Sequence, residues 1–214
     1  MLRMHREELI SSLTHLVFGV FTVFLTVIAI LKGIRIESTY HIVSYLIFGI
    51  SMILLYFSSG IYHFLPDRTE VKILFKKLDH IMIFFLIAGT YTPFCLITLH
   101  GVLGWSLFGI VWTIALAGLF FKIFCLNAPR VLYTGIYLIM GWIIVFAIKP
   151  IFNALPFPGF VWLVAGGLFY TVGAIIYALK KPNPYPGIFG FHEIWHIFVI
   201  LGTTAHYISI YFYV

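Results

Sequence analysis

Apolar positions along the chain gather into seven long runs, at about residues 13–31, 41–62, 79–99, 102–121, 131–148, 160–179 and 191–214. Each is near the roughly 20 residues that a helix needs to cross a bilayer. The breaks between them hold turn formers and charge, as in Pro156-Phe157-Pro158-Gly159 and Lys181-Pro182-Asn183-Pro184. No stretch alternates with the period of a strand, and the runs are too long for the strands of a membrane barrel. The pattern predicts an all-α membrane protein, a seven-transmembrane helix bundle forming one domain over residues 1–214. Ser11, Ser12 and Thr14 offer caps before the first helix. Pro93 falls inside the third run and removes one backbone donor there, so that helix is expected to bend. Tyr91 and Thr92 beside it either line a cavity or satisfy the broken helix. Only His100-Gly101 separates the third and fourth runs, and Gly101 and Gly104 favour a tight hairpin over one longer helix.

Composition agrees with this reading. The chain is 62% hydrophobic and 9% charged, with a mean hydropathy of +1.08. Soluble domains are about 45–50% apolar and about 25% charged. Such a chain cannot cover itself with polar surface, so it belongs in the cell membrane as a multi-pass protein. The net charge of +6 sits in the loops and forms no basic face or motif, which argues against a nucleic-acid partner. Residues 1–8 lack the cleavage site of a signal peptide. Cys95 and Cys125 lie in or beside apolar runs, make no C-x-x-C pattern, and read as packing.

Charge also orients the bundle. With the N-terminus in the cytoplasm, the inner side holds Arg3, Arg6, Arg68, Lys72, Lys76, Lys77, Lys122, Arg130, Lys180 and Lys181, against Lys32, Arg35 and Lys149 outside. Ten against three predicts N-terminus in and C-terminus out. The second run then ends inside with Ser59 and His63. The third begins inside at Asp79, after a loop over residues 64–78. The seventh begins there with His192 and His196, and the first with Glu8 and His15. Ionisable groups within a membrane are costly and mark function by default.

His192 and His196 are four apart and share one face of a helix. With His63 at the same depth they make three nitrogen donors, the usual protein complement of a catalytic zinc. Read singly, each is a hydrogen-bonded residue at a helix end; the three together point to metal. His192-Glu193-Ile194-Trp195-His196 also fits the zincin pattern, in which the Glu is a base for peptide hydrolysis. Glu193 can equally sit at the positive end of the helix dipole. Asp79 competes as base, with a helix cap as its local alternative. Ser59 shares the face of His63 and can hold water or substrate, or bond back to its own helix. His15 and His206 are weaker cases, and His206 suits packing or a supporting role better than ligation.

Taken in order, Glu7-Glu8-Leu9-Ile10-Ser11-Ser12-Leu13-Thr14-His15, Ser59-x-x-x-His63, Leu78-Asp79-His80, Ala88-Gly89-Thr90-Tyr91-Thr92-Pro93 and His192-x-x-x-His196 resemble the bacterial hemolysin III branch of the progestin and adipoQ receptor family, related to the adiponectin receptors. The resemblance covers nearly the whole chain. It implies a seven-helix bundle with its N-terminus inside and a zinc (Zn2+) on His63, His192 and His196, with Ser59 and Asp79 beside the zinc water. It also implies hydrolysis of the ceramidase type. The chain departs from the family at Ser11, where Asn is usual. His80 replaces the receptors' Tyr, and Glu193 stands where receptors carry Gln, which counts against Glu193 as the shared base. Residues and resemblance together lead us to expect a zinc-dependent hydrolase of a lipid amide or ester bond. In it Asp79 takes the proton, Ser59 helps to hold the oxyanion, and a membrane lipid enters sideways as substrate. The rival expectations are a sensor of membrane state with structural zinc, a pore-former and an intramembrane protease.

Overall fold

The computed structural model describes residues 6–67, 69–124 and 129–214. Arg3, Arg68 and Cys125 lie outside the described residues. Helices α1 (Arg6–Arg35), α2 (Thr39–Phe64) and α3 (Glu70–Pro93) come first, and α3 continues into a π-helical turn, Phe94–Leu99. Helix α4 (Gly101–Phe124) follows. Helix α5 (Arg130–Trp142) is joined through a 3-10 turn, Ile143–Ala147, to the short α6 (Ile148–Ala154), and α7 (Phe157–Leu179) and α8 (Phe191–Tyr213) complete the chain. With α5 and α6 counted as one span, seven helices are long and apolar enough to cross a membrane. No strand occurs among the described residues.

Several helices outrun the apolar stretches that announce them. Helix α1 is already helical at Arg6, with Glu7 and Glu8 in a first turn whose dipole favours acids. Ser11 and Ser12 are therefore interior helical residues, not caps. Helix α3 starts at Glu70, capped by Thr69 Oγ1, which accepts from Lys72 N at 3.1 Å. Residues 70–78, expected as loop, are helical, and Asp79 lies nine residues inside the helix instead of opening it. The cause is general: hydropathy marks the part of a helix that meets lipid, while backbone hydrogen bonding carries the helix on past the hydrocarbon.

The two expected irregularities are present. After Pro93 the helix widens into the π-helical turn, a common response where the regular bonding ladder is interrupted. The chain then reverses through His100 (φ 47°) and Gly101 (φ 51°), both left-handed, so the third and fourth runs form a hairpin. Thr92 satisfies its own helix, donating to Ala88 O at 2.9 Å, and accepts from Trp112 Nε1 of α4 at 3.1 Å. Tyr91 serves a different helix: its hydroxyl accepts from Ile144 N at 2.8 Å and lies 2.7 Å from Gly141 O. It thereby occupies backbone groups freed where α5 breaks into the 3-10 turn.

The helices form a ring in which α1 packs on α2, α2 on α3, α3 on α5, α5 on α7, α7 on α8 and α8 on α1, while α4 packs chiefly against α3. Helix α1 turns a stripe of small and polar residues inward, including Ser11, Ser12, Gly19, Thr22 and Thr26. Small residues let membrane helices approach closely; a Cβ at Gly60 of α2 would stand 2.6 Å from Leu16 Cγ of α1. Cys95 is buried and packs in the core, as expected.

Candidate metal centre

The first two turns of α8, the last turn of α2 and the first three turns of α1 meet at one end of the ring. His63, His192 and His196 converge there, each offering a ring nitrogen, and these nitrogens all lie within 4.8 Å of one another. His63 Nε2 and His192 Nε2 are 3.1 Å apart. Two nitrogens on a tetrahedral ion, at bonds of about 2.0–2.1 Å, are separated by about 3.3 Å, so this pair is near metal-binding spacing.

The supporting contacts decide which nitrogens are free. Glu8 Oε2 lies 3.0 Å from His63 Nδ1. A carboxylate accepts, so the proton stands on Nδ1 and Nε2 keeps its lone pair. His196 Nδ1 donates to the Ser11 carbonyl at 3.2 Å, which likewise leaves Nε2 as the donor atom for a cation. Metal-bound histidines usually carry such a partner on the second nitrogen. The donor set therefore suits a metal ion of the kind that imidazole binds well, zinc among them.

Glu8 is itself held by Lys72 Nζ at 3.4 Å, and Lys72 also pairs with Asp67 at 2.9 Å. Glu8 stood in the sequence as one ionisable group at the inner end of the first helix, with no partner assigned. Its role was signalled by position: Glu8, Ser11, Ser12 and His15 follow the i, i+3, i+4, i+7 pattern of one helix face. Ser12 Oγ donates to Gly60 O at 2.9 Å and so ties α1 to the helix that carries His63.

Glu193 is buried and committed elsewhere. Its Oε1 accepts from Ser11 Oγ at 2.7 Å and its Oε2 from Gly190 N at 2.8 Å, the latter closing the first turn of α8. Both oxygens are thus engaged in fastening α8 to its own start and to α1. His206 donates from Nδ1 to Gly202 O at 2.8 Å and stacks on Tyr170, apart from the three-histidine cluster. His15 stacks on His196 with ring centroids 3.7 Å apart, and neither of its nitrogens has a hydrogen-bond partner.

Beside the cluster lies a cavity of about 370 Å3, lined among others by Ser59, Asp79, His80, His192 and His196. Ser59 Oγ is buried without a hydrogen-bond partner, so it does not bond back to its own helix. Asp79 lines the same cavity but is not among the groups whose donor atoms gather within 4.8 Å. Trp142, Val145 and Val164 line it and are exposed residues. The exposed apolar part of its lining lies on α5, the 3-10 turn after it and α7.

Comparison with known proteins agrees with this architecture. The family model "Haemolysin-III related" matches residues 3–207. Hemolysin-3 of Bacillus cereus is 40% identical over 209 residues, 98% of this chain and 92% of that protein. The hemolysin-3 homolog of Bacillus subtilis is 41% identical over 208 residues, 97% of this chain and 94% of that protein. The adiponectin receptor protein of Drosophila melanogaster is 27% identical over 191 residues, 82% of this chain and 43% of the receptor. With a family match over nearly its full length and seven apolar helices to carry it through a bilayer, the chain belongs to the hemolysin III family and is a multi-pass membrane protein of the bacterial type.

Proposed function

We propose that this chain is a single-domain, zinc-dependent hydrolase of a lipid amide or ester bond, with its site at the cytoplasmic side. The observation that carries the reading is the three-histidine cluster, two of whose members have Nδ1 engaged, set against a cavity that also contains Asp79 and Ser59 and has exposed apolar lining on α5 and α7. His63, His192 and His196 would hold the ion. A zinc bound there supplies Lewis acidity, lowering the pKa of water towards about 7 and polarising a carbonyl. The protein's own groups do the rest. Asp79 takes the proton from the attacking water onto a carboxylate oxygen and returns it to the leaving nitrogen or oxygen as the C–N or C–O bond breaks. Ser59 Oγ, without another partner, donates to the carbonyl oxygen as negative charge grows there. A lipid enters from the side between α5 and α7 while its chains stay in the bilayer.

One observation favours a second reading, a non-catalytic sensor with structural zinc: Asp79 stands outside the group of converging donor atoms. Metal content and turnover measured together separate the two. Purified protein is expected to hold about one zinc per chain, and His63→Ala, His192→Ala and His196→Ala each to lose most of it. His41→Ala and His100→Ala leave it in place. On fluorescent N-acyl and O-acyl lipids, Asp79→Asn is expected to lower the hydrolysis rate by about 10²–10⁴-fold with zinc retained. Glu193→Gln costs much less, because a Gln amide can keep the contacts to Ser11 and Gly190. Zinc without turnover in the wild type would favour the sensor. Turnover abolished by Glu193→Gln but not by Asp79→Asn would restore the zincin reading.

A further inference from the structure

The charges on the cavity wall do not balance. Lys76 of α3, Lys122 of α4 and Arg130 of α5 line it, and the acid facing them is Asp79. The chain has seven Asp and Glu in all, and every one lies in a described segment, so their partners can be followed. Glu8 and Asp67 pair with Lys72, Glu7 accepts from Gly187 N, and Glu193 is held by Ser11 and Gly190. Glu37 sits in the turn at the opposite end of the ring, and Glu70 is exposed at the start of α3. None of the seven pairs with Lys76, Lys122 or Arg130 within ion-pair distance.

Burial sharpens the imbalance. Lys72, 9% exposed, has two carboxylates, whereas Lys122, 3% exposed, has none. A lysine at the end of a membrane helix ordinarily extends its charge out to the headgroups. Lys122 instead points inward and places Nζ 3.4 Å from the centre of the Tyr133 ring. Arg130 lies over Tyr177, Cζ 4.5 Å from the ring centre, and its Nη1 is buried with no hydrogen-bond partner. Arg130 is also the first residue of α5, which has no side-chain cap, so the positive end of that helix dipole adds to the same potential. Deeper in the cavity the wall turns apolar, with Ile87, Phe94, Leu138 and Leu163. Buried positive charge without a carboxylate is costly unless a ligand supplies the anion.

We propose that this cavity binds an anionic amphiphile, its phosphate or carboxylate headgroup held between Lys122 and Arg130 with Lys76 at the rim, and its chain lying along the apolar wall. The inference names the substrate class of the proposed hydrolase and rests on reading the cavity as its lipid site. Guanidinium and ammonium groups are the donors that phosphates and carboxylates select.

The test is binding, not turnover, on the full chain in a neutral detergent. The probe is fluorescent phosphatidic acid, compared with phosphatidylcholine and diacylglycerol carrying the same chains. Wild-type protein is expected to prefer phosphatidic acid. The Lys122→Met, Arg130→Gln double variant weakens that binding by about tenfold or more, the scale of one lost charged hydrogen bond. Lys122→Arg retains the binding and shows that the loss is not a failure to fold. Asp79→Asn, which removes the opposing charge, tightens it. A fatty acid of the same chain length competes. Equal binding of the neutral diacylglycerol, or an undiminished preference in the double variant, overturns the proposal. So does displacement by inorganic phosphate at the concentration at which unlabelled lipid displaces, because the chain then contributes nothing. His192→Ala and His196→Ala are measured beside these: a preference kept there while wild type shows no hydrolysis sinks the hydrolase and leaves the anion site standing. Hydrolysis with no preference for the anion sinks this inference alone.

Discussion

At the scale of single residues, the cluster depends on which nitrogen of each imidazole is left free. Glu8 settles this for His63 and does so through one carboxylate oxygen, which Lys72 also touches. Removing a partner of this kind typically costs about 10–100-fold in metal affinity. Glu8→Ala is therefore expected to weaken zinc binding by about that factor, read by competition with a chromophoric chelator. Glu7→Ala is the control, since Glu7 accepts from the Gly187 backbone and touches no histidine. Equal effects from both variants would mean that the first turn of α1 acts as a whole and that Glu8 does not orient His63. The same attention to individual atoms distinguishes the surroundings of the two acids weighed as base, of which the sequence favoured Asp79. Glu193 has both oxygens occupied by hydrogen bonds that build the start of α8, and Asp79 faces the cavity.

At the scale of elements, the α5–α6 span is irregular, and α3 compensates for it. The break at Ile143–Ala147 frees backbone groups at membrane depth, where no water can satisfy them. Tyr91 OH reaches Ile144 N and Gly141 O from the turn before Pro93. Tyr91→Phe keeps the ring and leaves those groups unpaired. It is expected to destabilise the protein by about 1–3 kcal/mol, the cost of an unsatisfied buried polar group, read as a lower unfolding midpoint in detergent. Thr92→Val, which loses a bond back to its own helix and an acceptor for Trp112, tests whether any polar loss near Pro93 has the same effect. A midpoint unchanged in Tyr91→Phe would show that the break is held by packing alone. Because this break forms part of the cavity wall between α5 and α7, its stability bears on access to the cavity.

At the scale of the molecule, the ring gathers most of the cations at the end that holds the histidines. Lys72, Lys76, Lys77, Lys122, Arg130, Lys180 and Lys181 stand at that end, and Lys32, Arg35 and Lys149 at the other. Cytoplasmic loops carry the excess of Lys and Arg, so the histidine cluster is expected to face the cytoplasm. A reporter fused after Val214 should be active outside, and one inserted in the turn between α2 and α3 inside. The reverse result would move the cluster to the outer face and remove the cytoplasmic half of the proposed function. The far end is tied by its own contacts: Lys32 Nζ donates to Tyr211 O, and His41 Nε2 lies 3.1 Å from Val214 O.

The seven spans, the hairpin at His100-Gly101, the interruption at Pro93 and the same-face pair His192 and His196 were all legible in the sequence. Each depends on residues near one another in the chain, where hydropathy, helical period and the limits of Pro and Gly act directly. Helix ends were misread at Arg6 and Glu70, because charged residues leave the hydrocarbon without leaving the helix. The meeting of His63 with His192 and His196, 129 residues apart at its closest contact, was also read, from helix direction and depth; the other pairings across the chain were not. His63 meets Glu8 over a separation of 55 residues, Ser11 Oγ meets Glu193 over 182, and His196 meets the Ser11 carbonyl over 185. Those contacts decide which imidazole nitrogens are free, which acid has both oxygens engaged, and which cations go without a carboxylate. A buried polar group takes whichever partner the packed helices bring within reach, and no local pattern carries that choice; the sequence supplied the groups, and tertiary packing assigned their partners.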